Sequence, residues 1–251
     1  EGARGDSGPT VIALAENIGK LLAPLEEYAD VFACRIRAMS RLYWKNQEIL
    51  FYTNSINSSF YVESGNAVVW ISPHSTAKDK AELCDLLTVT ARTVRANHPL
   101  PLAGYTETRG LVYGGCTAYH FTQGAAENLR GCLAVWEQVF PDAFSGEAGR
   151  VRYADCSHRI RHEMSRAFCL EDKAALFAFC EDHGYAVIDQ LGVLPAYRGN
   201  GLAMSLLCHA AAVLRPENGF LFESKDALSD HFYEKNGFQP MGGWYAYRTR
   251  L

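Results

Sequence analysis

Apolar residues recur at helical spacing from Val11 to Tyr28, with Pro9 just ahead as a start signal, so the pattern predicts a helix there. Arg35 to Trp44 fits a helix or a strand. Glu48 to Thr53 reads as a strand. The run "SSFYVESGNAVVWISP" predicts two strands around a Gly65-Asn66 turn, a hairpin signature. Lys78 to Ala96 predicts a helix that Pro99 and Pro101 end. Leu102 to Gly124 is glycine-rich and follows neither period. Glu127 to Val139 predicts a helix stopped before Pro141. "SGEAGR", Ser145 to Arg150, has the composition of a linker.

Beyond that stretch the rhythm changes. "RAFCLED" and "AALFAFCED" predict two strands joined at Asp172-Lys173, and "GYAVIDQLGV" predicts a third. Gly201 to Leu214 predicts a helix and "GFLFES" a fourth strand. Leu228 to Asn236 predicts a short helix closed by Gly237, a residue that accepts the left-handed conformation found after helix ends. "WYAYRTRL" predicts a last strand. This order of elements is that of a mixed α/β sheet. The expected organisation is an N-terminal α/β domain over residues 1–124, a connecting helix and linker over 125–149, and a C-terminal α/β domain over 150–251. The first half also sets a hairpin before a long helix, a faint echo of the second without a residue-level match.

Composition narrows the function. Hydrophobic residues make up 48% and charged residues 21% of the 251, as in an ordinary globular protein. The formal net charge of -4 leaves no basic excess for phosphate contacts along a duplex, so no nucleic-acid partner is expected. No apolar run approaches the roughly 20 residues that span a bilayer, so no membrane partner is expected either. "EGARGDSGPT" has no basic stretch feeding an apolar core. It reads as a small-residue leader rather than a signal peptide, and Arg4-Gly5-Asp6 within it as part of that leader. The eight cysteines are scattered, with no CxxC pair, which fits reduced thiols packed in a cytoplasmic protein.

The sharpest local feature is "VLPAYRGNGLAMSLL", Val193 to Leu207, a glycine-bearing loop between a strand and a helix. Helix N-termini present unpaired N–H groups and a partial positive charge, glycines let a backbone approach an anion, and Arg198 adds a cation. The loop is therefore a candidate phosphate or pyrophosphate cradle; a tight turn without a ligand is the alternative from the loop alone. It lacks the Gly-Lys-Ser/Thr ending of a P-loop and the third glycine of a dinucleotide fingerprint.

Arg198-x-x-Gly201-x-Ala203 in this setting resembles the R/Q-x-x-G-x-G/A signature of the GNAT N-acetyltransferase superfamily. "DALSDHFYEKNGF", Asp226 to Phe238, resembles that superfamily's C-terminal segment, with Asp226 where Asn is usual and Ser229 where Ala is usual. The resemblance covers about Arg150 to Leu251. It implies a mixed, mostly antiparallel sheet with flanking helices, in which a strand pair splays to admit acetyl-CoA as cosubstrate. It further implies that Arg198, Gly199, Asn200, Gly201, Leu202 and Ala203 hold the pyrophosphate. The main chain of Leu191, Gly192 and Val193 would pair with the pantetheine arm, and Asp226 would lie beside it.

Acetyl transfer to an amine needs a neutral amine, an oxyanion stabiliser and a proton for the leaving thiolate. By resemblance Tyr233 holds the acid's position; the alternative is a Tyr packed on the sheet. A main-chain N–H near Val193 is the candidate oxyanion donor. Strand parity places Asp189 on one face with Leu191 and Val193, which makes it the candidate base; the alternative is a carboxylate tied to a neighbouring strand. Glu223 is a second candidate. Glu181, Asp182 and His183 read as a solvated turn. Cys156, His158 and His162 lack a further ligand at standard spacing and read as a charged helix face, so no metal is expected. Tyr52, Phe60, Tyr61 and Trp70 read as N-terminal core.

The expected activity is an N-acetyltransferase that moves acetyl from acetyl-CoA to a small-molecule or peptide amine by direct transfer in a ternary complex. The rival is a non-catalytic acyl-CoA-binding or interaction module that keeps the fold. Tyr233 favours the enzyme and Asp226 the rival.

Overall fold

The computed structural model describes residues 11–54, 56–180 and 183–250. The expected leader, Glu181 and Asp182 lie outside the described residues. Compactness divides the chain into two units. One runs up to Leu111 and takes back the chain from Gly242 onward, and the other is Val112–Met241. The division differs from the expected one. Residues 112–124 and the helix expected as a connector go with the second unit, and the last strand goes with the first.

The first unit holds β1 (Ala13–Leu14), α1 (Ile18–Leu22), α2 (Val31–Tyr43), β2 (Ile49–Thr53), β3 (Ser58–Glu63), β4 (Asn66–Ile71), α3 (Ala77–Thr90), β5 (Thr93–Ala96) and the start of β6 (Tyr105–Gly115). Strands β2, β3 and β4 pair antiparallel, and β5 returns parallel to β4 after α3. Phe60, Val69, Leu83, Leu87 and Val94 pack together between these strands and α3. Tyr61 and Trp70 are also buried, as expected for core aromatics.

Two expected helices are shorter than their patterns. Asn17 caps α1 late, by accepting from the Lys20 N–H, and Pro24 sits at the start of the 3₁₀ turn that follows. The helix expected to reach Ala96 ends at Thr90. Thr88 and Thr90 turn their hydroxyls back to the carbonyls of Cys84 and Leu86, and Ala91 is already extended. The β-branched run beyond then pairs with β4, because a strand that buries Val94 and Ala96 gains more than a longer helix would.

The second unit continues with the end of β6, then β7 (Ala125–Glu127), α4 (Leu129–Val139), α5 (Pro141–Phe144), α6 (Gly146–Arg161), β8 (Ser165–Leu170), β9 (Ala174–Cys180), β10 (Tyr185–Val193), α7 (Leu202–Leu214), β11 (Gly219–Glu223), α8 (Ala227–Lys235) and the start of β12 (Gln239–Thr249). Its strand order is β6-β11-β10-β9-β8-β7. Only β10 and β11 run parallel, joined through α7; the other pairs are antiparallel. The unit is thus a mixed, mostly antiparallel sheet with helices on both faces. One face packs Phe168, Leu176, Ile188 and Phe222 under α7 and α8. The other packs Cys169 and Phe177 against Trp136 of α4 and Cys156 of α6.

The expected linker is the start of α6. Ser145 precedes the first turn, and a Cβ at Gly149 would lie 2.1 Å from the Phe144 carbonyl oxygen. The glycine there serves close packing, not flexibility. The unpatterned glycine-rich stretch holds β6. A Cβ at Gly114 would lie 2.0 Å from Met241 Sδ, so missing side chains that obscure the alternation are what let the strand fit.

Candidate active site

Strand β10 carries the site. Its parallel ladder with β11 runs from Tyr185↔Gly219 to Ile188↔Phe222 and stops, while β10 continues to Val193 against β9. The two strands part at that point. A cavity of about 530 Å³ opens there, lined by Asp189 to Val193 of β10, Glu223 at the end of β11, the loop into α7, and Phe232 and Tyr233 of α8.

The loop at one end of the cavity has the character of an anion cradle. Gly199 and Gly201 take φ of +81° and +76°, where other residues are strained, and no protein atom lies within 4 Å of a Cβ built on either. Gly201 is the N-cap of α7, and no side chain caps that end. The first N–H groups of a 13-residue helix therefore face open space with a partial positive charge behind them. Arg198 folds back so that its Nε donates to the Val193 carbonyl at 3.2 Å, and Asn200 donates to the Tyr197 carbonyl at 3.2 Å. Leu202 and Ala203 line the cavity as the first residues of the helix. These features fit a pyrophosphate, and the unpaired edge of β10 fits an extended amide-bearing arm.

Of the β10 residues, Leu191 and Val193 pack toward the α7 core. Gly192 has a structural task. A Cβ there would lie 3.2 Å from Phe140 Cε2 and 3.4 Å from Trp136 Cδ1, so the missing side chain lets α4 come close.

Asp189 does not share the face of Leu191 and Val193. The register with β9 slips between Ile188↔Ala178 and Gln190↔Phe177, which leaves Asp189 as the extra residue of a β-bulge. Alternation restarts after a bulge, so the parity expectation fails. The Asp189 side chain turns to α6, where its Oδ2 accepts from Arg159 Nη2 at 2.7 Å.

Tyr233 is buried at the floor of the cavity, its ring 4.7 Å from Phe222 and 5.3 Å from Tyr113. Burial pushes its phenol well above the ordinary tyrosine value, and the Glu223 carboxylate pushes the same way, so the proton stays on. Asp226 caps α8. Its Oδ1 accepts from the Ser229 N–H and the Ser229 hydroxyl, each at 2.8 Å. These bonds hold the Asp226 carboxyl below its usual range, with Arg198 a further lowering influence. The two departures from the family pattern, Asp226 and Ser229, are thus one capping pair.

The remaining expected residues lie elsewhere. His183 accepts through its carbonyl from Asn218. His158 of α6 and His162 just past its end lie with ring centroids 4.4 Å apart and their planes tilted by 56°, and Cys156 is buried. No group of three His, Cys, Asp or Glu side chains placed to hold a metal occurs among the described residues. No described helix is long and apolar enough to cross a membrane. Sequence reasoning missed Arg159, which sits within a run that reads as a charged face, and Phe140, whose ring borders the cavity under Lys225 Nζ at 4.7 Å.

Comparison with known proteins agrees with this geometry. Residues 164–240 match the family model of the acetyltransferase (GNAT) domain. No curated protein matches the chain. Among solved structures, a GCN5-related N-acetyltransferase from Sphaerobacter thermophilus aligns with TM-score 0.59 and 14% identity over 96% of each chain. A tandem GNAT protein from the clavulanic acid biosynthesis pathway aligns with TM-score 0.57 and 12% identity, over 94% of this chain and 96% of that one. A GNAT-family acetyltransferase from Colwellia psychrerythraea aligns with TM-score 0.56 and 11% identity, over 95% and 99%. The strand splay, the uncapped glycine-led helix and the family match fall on the same residues, and the chain therefore carries a GNAT-superfamily acetyltransferase domain in its C-terminal half.

Proposed function

We propose that the protein is an acetyl-CoA-dependent N-acetyltransferase that acts on a small-molecule or peptide amine by direct transfer in a ternary complex. The observation that carries the reading is the continuity of one cavity from the uncapped N-terminus of α7, along the unpaired edge of β10, to the buried Tyr233. Acetyl-CoA supplies an activated thioester when bound. The amides of Gly199 to Ala203 hold its pyrophosphate, and β10 main-chain groups from Leu191 to Val193 orient the arm. An N–H of that segment, on the edge away from β9, is placed to stabilise a developing oxyanion.

Proton traffic falls to two side chains in the same cavity. Tyr233, kept protonated by burial, donates its O–H proton to the departing thiolate. Glu223, a carboxylate on the cavity wall at the end of β11, takes the proton that the amine nitrogen loses, directly or through water. The tyrosinate left behind takes a proton back from protonated Glu223 through water, so the amine's proton replaces the one that leaves with the thiol and the cycle balances.

The first unit repeats the strand–helix–parallel strand crossover as β4, α3 and β5, but its helix start is occupied. Thr76 caps α3, and Asp79 Oδ2 accepts from the Thr76 N–H at 2.7 Å, the Thr76 hydroxyl at 2.8 Å and Asn57 Nδ2 at 3.1 Å. A carboxylate already holds the place a phosphate would take. We assign the donor site to the second unit alone. Steady-state release of free CoA, measured with a panel of amines and peptides, tests the activity. Turnover with at least one amine is expected. Tight CoA binding without turnover on any acceptor would replace the enzyme by a binding module.

A further inference from the structure

We propose that Arg159 is a positioning residue for the donor site, and that Asp189 is the anchor through which it acts; this rests on the acetyltransferase reading. Arg159 comes from α6, behind the sheet, and no sequence motif marks it. Its guanidinium lies over the rings of Phe177 and Phe179, with Cζ 5.0 and 5.5 Å from their centroids. Nη2 bonds Asp189 at 2.7 Å, and Nη1 lies 3.5 Å from Asp155 Oδ2. Both partners are nearly closed off, with side-chain exposures of 11% for Arg159 and 8% for Asp189. Burial alone would lower the pKa of the guanidinium; the Asp189 and Asp155 charges outweigh it, and the group stays cationic.

What the pair holds is the bulge. Asp189 is the residue that β10 has in excess of β9, and it falls where β10 and β11 part. Strand side chains alternate, so sliding a strand by one residue exchanges its two faces. The slip at Asp189 is what sets Ile188 and, beyond it, Leu191 and Val193 on the same α7 core. Without the anchor the extra residue loses its bond to Arg159 of α6. The strand beyond it, whose amides line the cavity, loses its fixed register. A misplacement of about 1 Å in an ordered site costs roughly 10²-fold. The effect falls on the donor arm, not on Tyr233, which belongs to α8.

The test measures CoA affinity by calorimetry beside steady-state kinetics in acetyl-CoA. Asp189→Asn keeps an oxygen that can accept from Arg159. It loses the charge that faces the buried guanidinium, so CoA Kd and the acetyl-CoA KM are expected to rise, by less than in the Arg159 variant below, while the pH–rate profile keeps its shape. Arg159→Met is expected to raise CoA Kd and the acetyl-CoA KM by about tenfold or more, with a smaller loss in kcat and an unmoved pH profile. That variant strands a buried carboxylate, so Arg159→Met/Asp189→Leu, which removes both charges, is measured with it and should show the same rise in KM. A fall of tens of times in kcat for Asp189→Asn, with a displaced acidic limb, would make Asp189 the base and overturn the proposal. Unchanged CoA Kd and KM in a folded Arg159 variant would reduce the pair to a fold contact and overturn it too. Wild type that binds no CoA would sink the acetyltransferase reading first; wild type that binds while the variants bind equally well sinks only the positioning role.

Discussion

Gly201 separates backbone strain from ligand exclusion, because the chain contains its own control. Gly201 sits at φ +76° and Gly104 at φ +80°, and a Cβ on either would meet no protein atom within 4 Å. Placing an L-residue in the left-handed region costs about 1–2 kcal/mol. Gly201→Ala and Gly104→Ala should therefore lose similar stability, about 1–2 kcal/mol in denaturant melts, or a fall in Tm of roughly 2–8 °C at this chain length. Only the first should weaken CoA, because only at Gly201 does the open space lie at the uncapped start of α7. Gly201→Glu adds a charge. A carboxylate about 4 Å from one phosphate charge costs about 1 kcal/mol in water-like surroundings and about 4 kcal/mol at the effective dielectric of a protein surface. CoA Kd should rise by between about fivefold and a thousandfold, read by calorimetry on protein shown to be folded by circular dichroism. An unchanged Kd in folded Gly201→Glu, or an equal loss of affinity in Gly104→Ala, would refute the cradle.

Three further outcomes follow from the same geometry. Tyr233→Phe keeps the ring among Phe222 and Tyr113, so CoA affinity should hold while kcat falls by at least tens of times, as expected for loss of a general acid; wild-type turnover in the variant would remove Tyr233 as the donor. Calorimetric titration should saturate at one CoA per chain, and Asp79→Ala, which clears the start of α3, should change stability but not the affinity at that site; a second, independent binding event in wild type would contradict the assignment to the second unit. His209 accepts the Thr122 N–H on Nδ1 at 3.2 Å, and burial lowers its pKa against a small opposing effect from Glu127. The folded state therefore binds this proton less readily than the unfolded state, so the contribution is full above about pH 6.5 and declines as pH falls below it. Denaturation midpoints should drop between pH 7.5 and 5.5 and drop less in His209→Gln; equal drops would show that the ring is not linked to folding.

The place of the candidate cradle in the fold was legible in the order of residues. Local chemistry decides a glycine-led helix start, and Arg198 to Ala203 carries it in six consecutive positions, so the loop could be placed before any packing was known. The run of three strands, helix, strand, helix and strand from Ser165 onward was legible for the same reason, because each element shows its own period and its own stop, as Gly237 does after α8. What tertiary structure decided was every feature that depends on a neighbour distant in sequence. Thr93 to Ala96 leaves the helical pattern because β4 offers a parallel partner. Ser145 to Arg150 is helical because Gly149 closes on Phe144. The face of Asp189 follows from a register slip against β9, a pairing that alternation along β10 cannot reveal. Arg159 is buried because aromatic rings of β9 and a carboxylate of β10 meet it there, and a charged residue in a charged run gives no sign of partners brought from 18 to 30 positions away.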